Sequence, residues 1–174
     1  DGELITKEIH IKLADKALLL SDVERDILKI VVKDRYNDRP PATGFITGFD
    51  LKSGAFASSV AHDSHNIICI GTNDKDIAAA INEVVRIKGG LAVSSGGRTD
   101  SLVLDIAGLM TAGPARIVAE KYISLSDMVK DLGCTMASPF MTLSFMALLV
   151  IPELKMSDKG LFDGRRFSHV PLFI

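Results

Sequence analysis

The sequence has no tryptophan, only two cysteines and six prolines, and aromatics at 6%. It has no block of basic residues and almost no net charge, the formal total being -2 with 20 Lys/Arg against 22 Asp/Glu. A dedicated nucleic-acid binder needs clustered phosphate contacts, so this balance argues against one. It does not exclude a pocket for a single nucleobase. Long apolar runs are missing too. The longest, "FMALLVI" from Phe145 to Ile151, is ended by Pro152 and is far short of the ~20 residues that span a bilayer. No membrane partner is expected. The opening "DGELITKEIH" lacks the apolar core of a secretion signal. Cys69 and Cys134 lie in apolar contexts, read as buried thiols rather than a disulfide framework, and point to a cytoplasmic protein.

What is present is ordinary globular material. The chain has 174 residues, 47% of them hydrophobic and 24% charged, enough for one domain with a real core. "DILKIVVKDR" is β-branched and apolar at Ile27, Leu28, Ile30, Val31 and Val32, and reads as a buried strand. "YNDRPPATG" is a loop, and "GFITGFDLKSGAFASSV" reads as two short strands around a turn at Asp50–Gly54. "NIICIG" is another strand. "GTNDKDIAAAINEVVRIKGG" predicts a helix capped by Thr72 or Asn73 and stopped at Gly89-Gly90. Ile77, Ile81, Val84 and Val85 form its expected stripe. "LAVSS", "GGRTD" and "SLVLDIAG" predict a hairpin, with "SSGG" (Ser94–Gly97) as its turn rather than a phosphate loop.

A second helix is expected from about Pro114 to Leu132. Pro114 would sit in its first turn, and Val118, Leu125, Met128, Val129 and Leu132 would form its stripe. "SPFMTLSFMALLVIPEL" is one buried helix or a helix running into a strand, and its length does not decide between them. Met136, Met141 and Met146 are read as core filling. Arg98, Arg116, Arg165 and Arg166 are read as surface residues. "SDKG" and "FDGR" are turns, and "FSHVPLFI" is a terminal extended segment. The order predicts an α+β domain with a mixed, mostly antiparallel sheet covered by two main helices, in a layered sandwich.

The polar cluster in "SSVAHDSHNIICIG" is the chemical centre of the sequence. His62, Asp63, Ser64, His65 and Asn66 fall within five positions. Imidazole and carboxylate are good ligands for zinc, manganese or iron, but a catalytic metal wants at least three protein ligands. Asp63, His10 or His169 would have to complete the set, and no spacing requires it. The alternatives are a polar turn whose side chains bond to the backbone, or the lining of a pocket shared with another domain. The serines beside the histidines lack the glycines of a nucleophile elbow. No metal ligand or catalytic residue is assigned within this chain. The cluster is expected on a turn between two strands, with Asp63 available to fix the tautomer of one imidazole.

Several strings resemble a known family. "ERDILKIVV", "GFITGFDLKSGAFASSVAHDSHNIICIGTNDKDIAAAIN", "IAGLM", "LGC", "SPFMTLSFMALLVIPELKMSDKGL" and "VPLFI" resemble the C-terminal domain of the adenine deaminases. These are microbial enzymes of the amidohydrolase superfamily that convert adenine to hypoxanthine and ammonia. The resemblance runs from "GELITKE" to the end. The chain departs from the family where Tyr36 follows Arg35 in place of the usual histidine, and where "SLVLD", ending in Asp105, precedes "IAGLM".

The resemblance implies that residues 1–174 are one domain of a longer purine-salvage hydrolase. Its upstream (β/α)8 barrel would hold a divalent metal centre, manganese or iron and usually binuclear. That barrel would be the domain's partner, adenine its substrate, and a homo-oligomer the expected assembly. The fragment alone is expected to be inactive. Two further readings stay open: a non-catalytic module that binds a purine or effector, and a self-contained metal-dependent hydrolase.

Overall fold

The computed structural model describes residues 4–12 and 20–174. The apolar strands assemble into one six-stranded sheet from β1 (Leu28–Lys33), β2 (Ala42–Ile46), β3 (Ala55–Ser58), β4 (Ile67–Gly71), β5 (Gly90–Ser95) and β6 (Arg98–Val103). Its order is β2-β1-β4-β3-β5-β6, and every neighbouring pair is antiparallel. Strand periodicity divides the core in two. Leu28, Ile30, Val32, Phe56, Ile68, Ile70, Leu91 and Val93 point to one face, and Val31, Ala55, Ala57, Ile67, Cys69 and Ala92 to the other.

Each face receives a helix. The α1 helix (Asp74–Arg86) lays Ile77, Ala80 and Val84 on the second face. The small side chains Ala55, Ala57 and Ala92 let it come close. Gly71 makes the same concession: a Cβ there would lie 2.5 Å from Ile77 Cγ1 and 2.6 Å from Ala55 Cβ. Asn73 caps α1, its Oδ1 accepting from the Asp76 N–H at 2.9 Å. The expected stripe needs one correction, because Val85 is exposed. Eight positions past Ile77 carries a residue about 80° around the helix, so Ala80 faces the sheet and Val85 faces water.

On the first face lie α2 (Ala115–Asp131) and α3 (Pro139–Phe145). Leu125, Val129, Phe140 and Leu143 join that core, and Val118, Met128 and Leu132 pack against it. Pro114 is the N-cap of α2 rather than part of its first turn. Gly133, at φ +106°, follows the helix end. The Met-rich segment is split. Met146 is buried and Met136 half-buried, but Met141 is exposed on the outer side of α3.

The last apolar stretch is a helix running into a strand. α3 is followed by β7 (Leu154–Ser157), β8 (Gly160–Asp163) and β9 (Ser168–His169), a three-stranded antiparallel meander. The sequence predicts turns and a terminal extended segment here, since strands of two to four residues carry too few positions for a period to emerge. Among the described residues the architecture is therefore α+β, with two antiparallel sheets and three helices. Among the described residues no helix is long and apolar enough to cross a membrane.

Candidate functional site

The antiparallel order brings four connections to one end of the large sheet. They are the segment leaving β1 (34–41), the β3–β4 loop (59–66), the entry to β5 (87–89) and the segment leaving β6 (104–114). The cluster His62–Asn66 lies on the β3–β4 loop, a turn between two strands as the sequence predicts. Asp63 and Ser64 are exposed at its tip, His62 and His65 are half-buried, and Asn66 is buried.

Backbone contacts close this loop. The His65 N–H donates to the Ala61 carbonyl at 2.7 Å, and the Ala61 N–H donates to His65 Nδ1 at 3.3 Å. The His62 N–H donates to the Ser144 carbonyl at 3.1 Å, which ties the loop to α3. The two imidazole centroids are 5.6 Å apart, and the His62 ring lies 5.0 Å from Phe145. Asp63 forms no hydrogen bond to either ring among the described residues, so the Ala61 amide takes the tautomer-fixing role expected of it. His65 sits at φ +52°, a left-handed conformation that histidine tolerates better than most residues.

Arg35 joins the separate segments, and the sequence reading did not single it out for this. Its backbone N–H donates to Asn66 Oδ1 at 3.1 Å. Its Nη1 donates to the His65 carbonyl at 3.3 Å and its Nη2 to the Ala107 carbonyl at 2.7 Å. The guanidinium lies against Gly108, where a Cβ would stand 2.7 Å from both terminal nitrogens, and 5.5 Å from the Tyr36 ring centroid. The Tyr36 hydroxyl reaches the Ser64 carbonyl at 3.4 Å. Asp34 turns the chain here, accepting from the Tyr36 and Asn37 amides at 2.8 and 3.1 Å. Beneath them, buried Ser59 donates to the Gly108 carbonyl at 2.6 Å and accepts from the Gly90 N–H at 2.8 Å. Ser59 is thus a structural clamp, bonded to backbone groups rather than to an imidazole.

The Ala61 N–H aimed at Nδ1 requires a lone pair there, so the bonded His65 ring is neutral. Burial pushes its pKa below the ordinary 6.5, and the neighbouring His62 and Arg35 push the same way, against a weaker pull from Asp63. These residues do not fit a metal. A neutral His65 that accepts at Nδ1 carries its proton on Nε2, which leaves neither nitrogen free to coordinate. His10 pairs with Glu8 at 3.3 Å, and His169 bonds Ser157 Oγ at 3.0 Å on the meander, so neither completes the set. Among the described residues no three His, Cys, Asp or Glu side chains converge.

A second feature opens beside β2, a cleft of about 770 Å³ lined by Ile9, Phe45, Lys155, Met156, Leu161 and Phe173 among others. Lys155 is 2% exposed, and burial pushes its pKa down to about 8. Its ammonium donates to the Leu4 carbonyl.

A family model described as the adenine deaminase C-terminal domain matches residues 3–168. An adenine deaminase of Methanosarcina mazei is 49% identical over 174 residues, covering 99% of this chain and 31% of its own length. One from Methanosarcina acetivorans is 50% identical, with 99% and 32% covered. One from Salinibacter ruber is 48% identical, with 100% and 32% covered. The chain spans about a third of the length of the curated relatives it matches.

Proposed function

The chain belongs to the adenine deaminase C-terminal domain family, and from that premise we propose that residues 1–174 form the accessory domain of an adenine deaminase. The parent hydrolyses adenine with one water to hypoxanthine and ammonia, a purine-salvage reaction of the cytoplasm. Its metal centre, manganese or iron and binuclear, belongs to an upstream amidohydrolase barrel. This domain packs on that barrel, and the assembly is a homo-oligomer.

The observation that carries the proposal is the His62–Asn66 end of the sheet. Three chain segments spend hydrogen bonds there to hold the His65 imidazole and the Arg35 guanidinium in place, and the His62 ring packs against Phe145. Around them Tyr36, Ile106 and Met110 expose between 43% and 67% of their surface. Large apolar side chains gathered around ordered polar groups mark a surface that another body covers. Since these residues do not fit a metal, their role is to complete or order the site that the barrel carries. His62, Asp63, Ser64, His65 and Asn66 then line the cleft between the two domains.

The test uses the full-length enzyme. His62→Ala and His65→Ala should each lower kcat/KM for adenine by about tenfold or more, with metal content unchanged and Tm lowered by no more than a few degrees. Activity that falls only in step with the folded fraction would make the cluster purely structural. Loss of bound metal would place these histidines in the metal site instead.

A further inference from the structure

We infer that His65 is a specificity-determining residue, its Nε2–H donating a hydrogen bond to an acceptor nitrogen of the purine ring. The inference rests on the reading above, that this loop faces the parent active site. It starts from a directional fact. The Ala61 N–H points at Nδ1, and an amide cannot accept, so Nδ1 must offer its lone pair. A neutral imidazole has one proton, and it therefore sits on Nε2.

Three contacts hold that choice. The Ala61 amide and carbonyl grip the ring nitrogen and the backbone of the same residue. Arg35 Nη1 grips its carbonyl. A second proton would set N–H against N–H across 3.3 Å, beside two other basic groups, His62 and Arg35. Among the described residues no group is hydrogen-bonded to Nε2. The result is a neutral donor of fixed direction in a half-buried site. Such a donor is suited to an in-plane nitrogen lone pair, which adenine carries at N1, N3 and N7. It is useless toward a metal or an amino group. Once covered, a donor left unpaired is costly, so it selects for the acceptor.

His65→Asn separates this role from loop architecture. The asparagine side-chain oxygen can accept from the Ala61 N–H, and asparagine tolerates the positive φ, but nothing replaces the outer donor. In the full-length enzyme, kcat/KM would be measured for adenine and for 1-deaza-, 3-deaza- and 7-deazaadenine, with Ki where an analogue is not turned over. The expected result is a fall of about tenfold to a hundredfold for adenine. For one of the three analogues, the one lacking the contacted nitrogen, the change should be less than about twofold. That non-additivity is the signature of a direct contact. A fall of equal size for all four compounds would overturn the inference while leaving the site reading intact. Wild-type kinetics in His65→Asn, His65→Ala and His62→Ala together would overturn both.

Discussion

Replacing Ser59 by alanine should cost this domain far more than the loss of one hydroxyl would suggest. The side chain is fully buried between β3 and the 106–110 loop, and its Oγ serves two buried backbone groups. It donates to the Gly108 carbonyl at 2.6 Å and accepts from the Gly90 N–H at 2.8 Å. Alanine leaves both without a partner. The Gly90 amide cannot turn elsewhere, because a Cβ on that residue would already meet the Leu102 carbonyl at 2.0 Å, so the backbones are in contact. Each orphaned buried group costs about 1–3 kcal/mol, which makes about 2–6 kcal/mol for the pair.

For a chain of this size, that loss should lower Tm by roughly 4–24 °C. Urea unfolding of the 174-residue chain is the assay. The midpoint should fall with the m-value unchanged, and amide exchange should accelerate at Gly90. Ser64→Ala, at the exposed loop tip, should stay within about 0.5 kcal/mol of the parent. A Ser59→Ala loss as small as that of Ser64→Ala would refute the clamp, because it would mean that neither backbone group depends on the hydroxyl.

Two further outcomes follow from the same structure. Glu83 accepts from Arg86 Nε and Nη2, each at 2.7 Å, and from Ser101 Oγ at 2.6 Å, with its pKa pushed down to about 2 from 4.5 by the Arg86 bonds first and Ser101 second. A depressed carboxylate stabilises the fold fully above about pH 4.5 and loses that contribution as pH falls toward about 2. Glu83→Gln should therefore flatten the acid limb of a stability–pH curve in that window, and an unchanged limb would show that the bonds do not persist in solution. Burial raises the thiol pKa of both Cys69 and Cys134. Neither should react with a disulfide reagent in buffer near pH 8, and both should react in guanidinium. Fast labelling of Cys69 in the folded chain would contradict its place under α1.

The elements were legible wherever a local period ran long enough to show. Leu28, Ile30 and Val32 alternate, Ile77 and Val84 return at helical spacing, and Asn73 and Gly133 punctuate the ends, because these patterns depend only on chain geometry. The turn bearing His62–Asn66 was legible for the same reason, as polar residues between two apolar runs. Sequence also carried the family, through strings long enough to be specific. Tertiary structure alone decided what those residues meet. Arg35 lies 30 positions from His65 and 72 from Ala107, and Ser59 lies 49 from Gly108. No periodicity links such positions. They meet because β1 pairs with β4, and β3 with β5, which brings the ends of distant strands to one edge of the sheet. The tautomer of His65 was decided there too, since it depends on a backbone amide turned inward by the loop rather than on the neighbouring aspartate.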